Sequence, residues 1–239
     1  MALAFEGLDR TNLTANTVQV LSQGKRGKAD LRVVEWKGRR AILKDFAGKS
    51  LPVRLAGWLQ IERELRAYRR LEGVAGVPRV YQRLDRYGFI MQEVQGRLLL
   101  LYRQHPIDQR RRLLEQVRRI LDQAHAAGVI HNDVRGRDNV LLSSDGSVVL
   151  VDFAAAICFR PGSLPHRLMF SWLVWVDETA FLKWKRILLP EELTLQEQTR
   201  LRRYARLRKL WIFNPKGRGR FDAVVEAGPA GAPEETVGR

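Results

Sequence analysis

The chain has 239 residues, enough for one domain in two lobes or for two small domains, and with 45% apolar residues it can bury a core, which excludes wholesale disorder. Its 42 basic and 26 acidic residues leave a net charge of +16, a field that favours anionic partners (nucleotide phosphates, nucleic acid or an anionic lipid surface) without choosing among them. One cysteine, Cys158, excludes an internal disulfide, and His105, His125, His131 and His166 lack the cysteine spacing of a zinc site.

The first twenty residues show no basic start followed by an apolar block, so no secretory leader is expected. The most apolar stretch, Leu168–Val176, has about half the length of a spanning helix. A cytoplasmic protein is expected, with peripheral contact to the inner face of a membrane as an open alternative.

In chain order, Thr17–Ser22, Ala29–Trp36 and Arg40–Phe46 read as strands separated by glycine turns, an antiparallel meander. Pro52 precedes a helix over Gly57–Leu71, where Trp58, Ile61, Leu65, Tyr68 and Leu71 form one apolar face. Val80–Tyr81 and Gly88–Val94 read as strands, and Gly96 as a hinge. Asp108–Ala127 reads as a helix with Asp108 as N-cap and Gly128 as its stop. Its buried stripe is Leu113, Leu114, Val117, Ile120, Leu121 and Ala124. Arg110–Arg112, Arg118 and Arg119 fall off that stripe, on a solvated face. Val140–Leu142 and Val148–Val151 flank Asp145-Gly146 as a hairpin. Pro165–Leu210 reads as helical, with a long amphipathic helix over Glu191–Leu210, and Ala227–Arg239 as a disordered tail.

The order helix, Val129-Ile130, His131-Asn132-Asp133, polar loop, Asn139, hairpin and Val151-Asp152-Phe153 resembles the catalytic loop and metal-binding strand of protein kinases. Ala41-Ile42-Leu43-Lys44 is similar to the kinase strand that carries the nucleotide-binding lysine. The resemblance implies an α+β, two-lobed protein-kinase-like fold. Residues 1–94 would form a small antiparallel-sheet N-lobe with one helix, and residues 95–213 a mostly helical C-lobe. Residues 214–239 would be a tail.

The resemblance also implies an ATP-dependent phosphotransferase. Asp133 would orient the attacking hydroxyl or accept its proton, and Arg135 would steady the transferred phosphoryl group. Asn139 and Asp152 would hold Mg²⁺, and Lys44 would bind the phosphates with Glu64 as its ion-pair partner. Gly24 and Gly27 would cover the phosphates by their backbone N–H groups, or form a plain hairpin turn. Backbone groups of Gln92 and Val94 would bind adenine between Ile42 and Leu141. His131 is expected to brace the loop.

Within the kinase-like proteins the chain is most similar to bacterial RIO-like kinases and lipopolysaccharide sugar kinases, whose loops carry one residue more between aspartate and asparagine. That extra residue selects Asn139 over Asp138. The acceptor implied is a hydroxyl of a protein or of a lipid-linked sugar. Three features depart from the family. The glycine loop Gly24-Lys-Arg-Gly27 is degenerate, Ala154 replaces a glycine, and no A-P-E motif follows. These leave open a nucleotide-responsive binding module without turnover. The aromatic and basic residues between Arg167 and Arg186 either pack a helical core or form a membrane-surface patch. Arg200–Lys209 is basic and leaves a nucleic-acid-associated RIO-like protein as a further alternative, but it has no base-stacking motif, so nucleic acid is not the expected partner.

Overall fold

A computed structural model describes residues 5–24 and 27–209. The fold is α+β: antiparallel sheets and four long helices. The largest sheet has the order β1-β2-β3-β5-β4, formed by β1 (Thr17–Ser22), β2 (Asp30–Trp36), β3 (Arg39–Asp45), β4 (Val80–Arg83) and β5 (Gly88–Gln92). The expected meander is present, with Val33 opposite Ile42 and Leu31 opposite Lys44.

Side chains alternate across a strand, so each sheet face needs its own cover. On the outer face Val34, Ala41, Leu43 and Ile90 pack against Phe5, Leu8 and Leu13. Phe5 stacks on Tyr81 at 5.0 Å, and Arg10 reaches both Asp45 (2.7 Å) and Asp85 (2.9 Å). This N-terminal cover has no periodic signature in the sequence. On the inner face Phe46, Phe89 and Met91 join Ile61, Leu65 and Tyr68 of α1 (Leu51–Arg70).

Helix α1 begins six residues earlier than its apolar pattern suggests. Pro52 lies in its first turn, where a missing N–H costs nothing. Trp58 is 39% exposed and leaves the buried face to Gly57, whose added Cβ would lie 2.4 Å from Phe46. The helix passes close to Phe46, just after β3, and only glycine fits.

A second sheet has the order β6-β8-β9, from β6 (Gly96–Leu98), β8 (Val140–Ser143) and β9 (Val148–Leu150). Gly96 opens β6, with a Cβ position 2.4 Å from the Leu142 carbonyl oxygen. Two short strands, β7 (Val129–Ile130) and β10 (Ile157–Cys158), pair with each other. Helix α2 (Ile107–Ala126) buries the expected stripe and ends at Gly128, φ +71°. Pro106 is its N-cap, and Asp108 sits in the first turn, bound to Arg111.

Arg111, Arg112 and Arg119 are exposed as expected, but Arg110 and Arg118 are half-buried. Arg110 binds Glu191 and the Leu188 carbonyl, and Arg118 binds Asp122 and Glu178. They fasten α2 to α3 (Leu164–Leu188) and to the turn after it. Helix α4 (Leu195–Lys209) starts four residues later than expected, because Pro190–Glu192 forms a separate 3-10 turn. The expected tail lies outside the described residues. No helix among the described residues is long and apolar enough to cross a membrane.

Candidate active site

Lys44, near the end of β3, points to the same sheet face as Ile42. Its Nζ lies 2.7 Å from Glu64 Oε2 on α1 and 2.9 Å from Asp152 Oδ1 beyond β9. Burial pushes the Lys44 amine down, but the two carboxylates outweigh it and hold the amine above its ordinary value. Burial lifts the Glu64 carboxyl above the usual range, with Lys44 opposing. Burial also pushes the Asp152 carboxyl upward, yet Lys44 brings it below the usual range. Glu64 is fully buried, whereas the Asp152 side chain is 47% exposed, so the charged row runs from the interior to an open end.

Asp152 has φ +63°, a left-handed backbone that costs a non-glycine residue about 1–2 kcal/mol. Phe153 explains how that conformation persists. It is fully buried, 4.5 Å from the His131 ring and 5.1 Å from the Tyr68 ring. Tyr68, Phe153 and His131 thus join α1, the Asp152 segment and the loop after β7. Ala154 lies in a 3-10 turn without a positive φ, so this backbone needs no glycine there.

His131 is fully buried and braces the loop as expected. Its Nε2 lies 3.1 Å from the Val151 carbonyl oxygen, and its Nδ1 accepts from the Asp133 N–H at 3.3 Å. This pattern assigns the neutral tautomer with the proton on Nε2. Asn132 supplies a left-handed turn, φ +64°, which asparagine tolerates better than most residues.

Asn139 donates its side-chain amide to the Asp133 carbonyl (2.7 Å) and to Asp133 Oδ2 (3.3 Å). It is buried, whereas Asp138 is exposed. The extra loop residue therefore turns Asn139, not Asp138, toward Asp133. Gly136 permits this closure, since a Cβ there would meet Asn139 Nδ2 at 2.6 Å. Arg135 lies 4.0 Å from Asp133 and donates to the Tyr204 hydroxyl at 2.8 Å.

The strongest brace of the loop escaped the sequence reading. Asp177 on α3 is fully buried and accepts from the His131 and Asn132 N–H groups, each at 2.8 Å, with His125 Nε2 at 3.1 Å. Trp184, also on α3, donates to the Val134 carbonyl at 2.9 Å. Asp177, one of two acids in the aromatic segment Phe170–Trp184 and the one on its apolar face, was the available signal, because an acid on a buried helix face needs donors.

Two expected groups are otherwise engaged. The Gly24 N–H donates to Asp30 Oδ1 at 2.9 Å, and its carbonyl accepts from Lys49 at 2.9 Å. The Gln92 N–H donates to the Arg79 carbonyl at 2.8 Å. Gly27 forms an open turn at φ +84°. Lys25 and Arg26 lie outside the described residues. Ile42 and Leu141 are both half-buried, while their neighbours Ala41, Leu43, Val140 and Leu142 are buried.

No protein-family model and no curated protein matches this sequence.

Proposed function

We infer that the chain is an ATP-dependent phosphotransferase with a two-lobed, protein-kinase-like fold, of the bacterial RIO-like and lipopolysaccharide sugar kinase type. The observation that carries this reading is Lys44 held between Glu64 and Asp152, three residues from three separate elements. A structural salt bridge needs only two partners. A third, half-exposed carboxylate at the open end suits a site for phosphates and a cation.

The donor set fits Mg²⁺, which takes one or two protein oxygens and completes its shell with water and phosphate. Asp152 offers a half-exposed carboxylate. Asn139 spends its amide hydrogens on Asp133, which leaves its side-chain oxygen as the ligand atom. Bound there, Mg²⁺ neutralises charge on the nucleotide phosphates.

The protein's own groups divide the remaining work. Lys44 neutralises phosphate charge, and Glu64 keeps the amine aimed outward from β3. Asp133 orients the acceptor hydroxyl and takes its proton on a carboxylate oxygen. Asn139 fixes the rotamer of that carboxylate through Oδ2. Arg135 supplies positive charge beside it. Adenine would sit between Ile42 and Leu141, using the Gln92 carbonyl and the Val94 N–H, since the Gln92 N–H is spent on Arg79. The acceptor is a hydroxyl of a protein or of a lipid-linked sugar.

A second reading, a nucleotide-responsive binding module, draws on the engaged Gly24 N–H. One experiment separates the two. Asp133→Asn should bind Mg-ATP as the wild type does and lose phosphate transfer from labelled ATP to a fractionated extract by at least about a hundredfold. Equal transfer by the variant overturns the catalytic assignment. ATP binding without transfer by the wild type over the whole acceptor panel favours the module.

A further inference from the structure

Helix α3 changes character along its length. Its C-terminal half buries Asp177, Ala180, Trp184 and Leu188. Its N-terminal half instead exposes Leu164 (67%), Leu168 (72%), Trp172 (63%) and Trp175 (38%). Spacings of four, four and three residues put these side chains on one stripe. A stripe of this kind on a surface marks a docking site.

We propose that this stripe lies on the surface of an anionic lipid bilayer and brings the Asp133 loop to that surface. Charge decides the occupant. From Phe153 to Val176 the chain carries no acidic residue, and Arg160 and Arg167 are exposed within that stretch. Helix α4, packed on α3, exposes Arg200, Arg202 and Arg203. Exposed tryptophan and leucine flanked by arginine match the apolar–anionic boundary of a bilayer. A second copy of the chain would bring the same positive field to the contact and be repelled. With no spanning helix among the described residues, the described part of the chain would lie on the bilayer rather than cross it.

The stripe also adjoins the loop. Trp175 packs edge-on to Tyr204 at 5.2 Å, the Tyr204 hydroxyl accepts from Arg135 at 2.8 Å, and Arg135 lies 4.0 Å from Asp133. Asp152 is followed only by the short Phe153–Gly162 segment before Ser163 caps α3. The docking itself is independent of the phosphotransferase reading. The consequence that the acceptor hydroxyl is membrane-held rests on it.

The test is co-sedimentation of the full chain with phosphatidylcholine vesicles, with and without about one-third phosphatidylglycerol. The wild type should bind the anionic vesicles, shift its tryptophan emission to the blue, and release as salt is raised. The Leu168→Ser/Trp172→Ser double variant should bind about tenfold more weakly. Leu55→Ser/Leu59→Ser, at equally exposed apolar positions of α1, should bind as the wild type does. Wild-type binding by the α3 variant, equal loss in both double variants, or equal binding to neutral vesicles overturns the proposal. So does sedimentation equilibrium showing that the α3 variant dissociates a dimer while vesicle binding is unchanged. Asp133→Asn should bind vesicles fully, so failure of phosphate transfer and failure of docking are read separately.

Discussion

The loop after β7 and the turn between β1 and β2 both have the residue types that handle phosphate, and the fold uses them differently. In the loop, His131, Asn139, Asp177 and Trp184 converge on a few backbone groups around Asp133, and the Asp152 carboxylate beside it stays half-exposed. At the turn, Gly24 spends both its backbone groups on Asp30 and Lys49, which are themselves paired at 2.5 Å. Glycine content alone does not make a phosphate loop; unspent N–H groups do.

The comparison breaks most severely if the charged row at the loop is dispensable. Lys44→Met should lower turnover by about two to three orders of magnitude. It also leaves Glu64 buried without its cation. A carboxyl whose folded pKa is raised binds its proton more tightly in the folded state, so stability is fullest below the unfolded value, about pH 4.3. It is lost as pH rises toward the folded value. Thermal melts over this range should therefore show a steeper decline for the variant than for the wild type. A flat profile would mean that Glu64 has another partner.

Next in size is Asp177→Asn. An amide cannot accept from all three donors, so at least one buried N–H loses its partner, at a cost of about 2 kcal/mol. The denaturation midpoint should fall with an unchanged slope, and turnover should drop by about tenfold through misplacement of the loop. Loss of stability at full turnover would show that the loop holds its geometry without α3.

At the turn, Gly24→Ala places a Cβ 2.1 Å from the Lys28 carbonyl oxygen and forces the backbone open. Stability should fall by about 1–2 kcal/mol while KM for ATP changes by less than about threefold. A rise of tenfold or more would return the turn to the phosphate site. The smallest effect is expected at the outer cover of the sheet. Arg10 holds the Asp85 carboxyl below its ordinary range against the upward push of burial. A depressed carboxyl stabilises the fold above its unfolded value, near pH 3.9, and loses that contribution as pH falls through the folded value. Arg10→Met should cost about 1 kcal/mol at neutral pH, flatten the acid transition and leave turnover unchanged.

Much of the fold was legible because its signals are local. The six buried residues of α2 follow from the 3.6 period, and the β8–β9 hairpin from Asp145-Gly146 between apolar runs. The core of the candidate site was legible from the order of its residues. Trp58 misled because periodicity reports apolar positions, not the close crossing that makes Gly57 the buried residue. Arg110 misled because a charge off the apolar stripe can still meet a carbonyl from another helix, while Arg111, Arg112 and Arg119 are exposed as expected.

The sequence alone determined which elements form and where they turn, since strand alternation, helical period and turn chemistry act over a few residues; Lys44, Asp133, Asn139 and Asp152 were grouped only by the resemblance of their motifs to those of protein kinases. Tertiary structure decided what those groups touch. Only packing brings Asp177 beneath His131, spends the Gly24 N–H on Asp30, and leaves half of α3 bare. Each of these outcomes depends on burial and on competition for hydrogen-bond partners far apart in the chain.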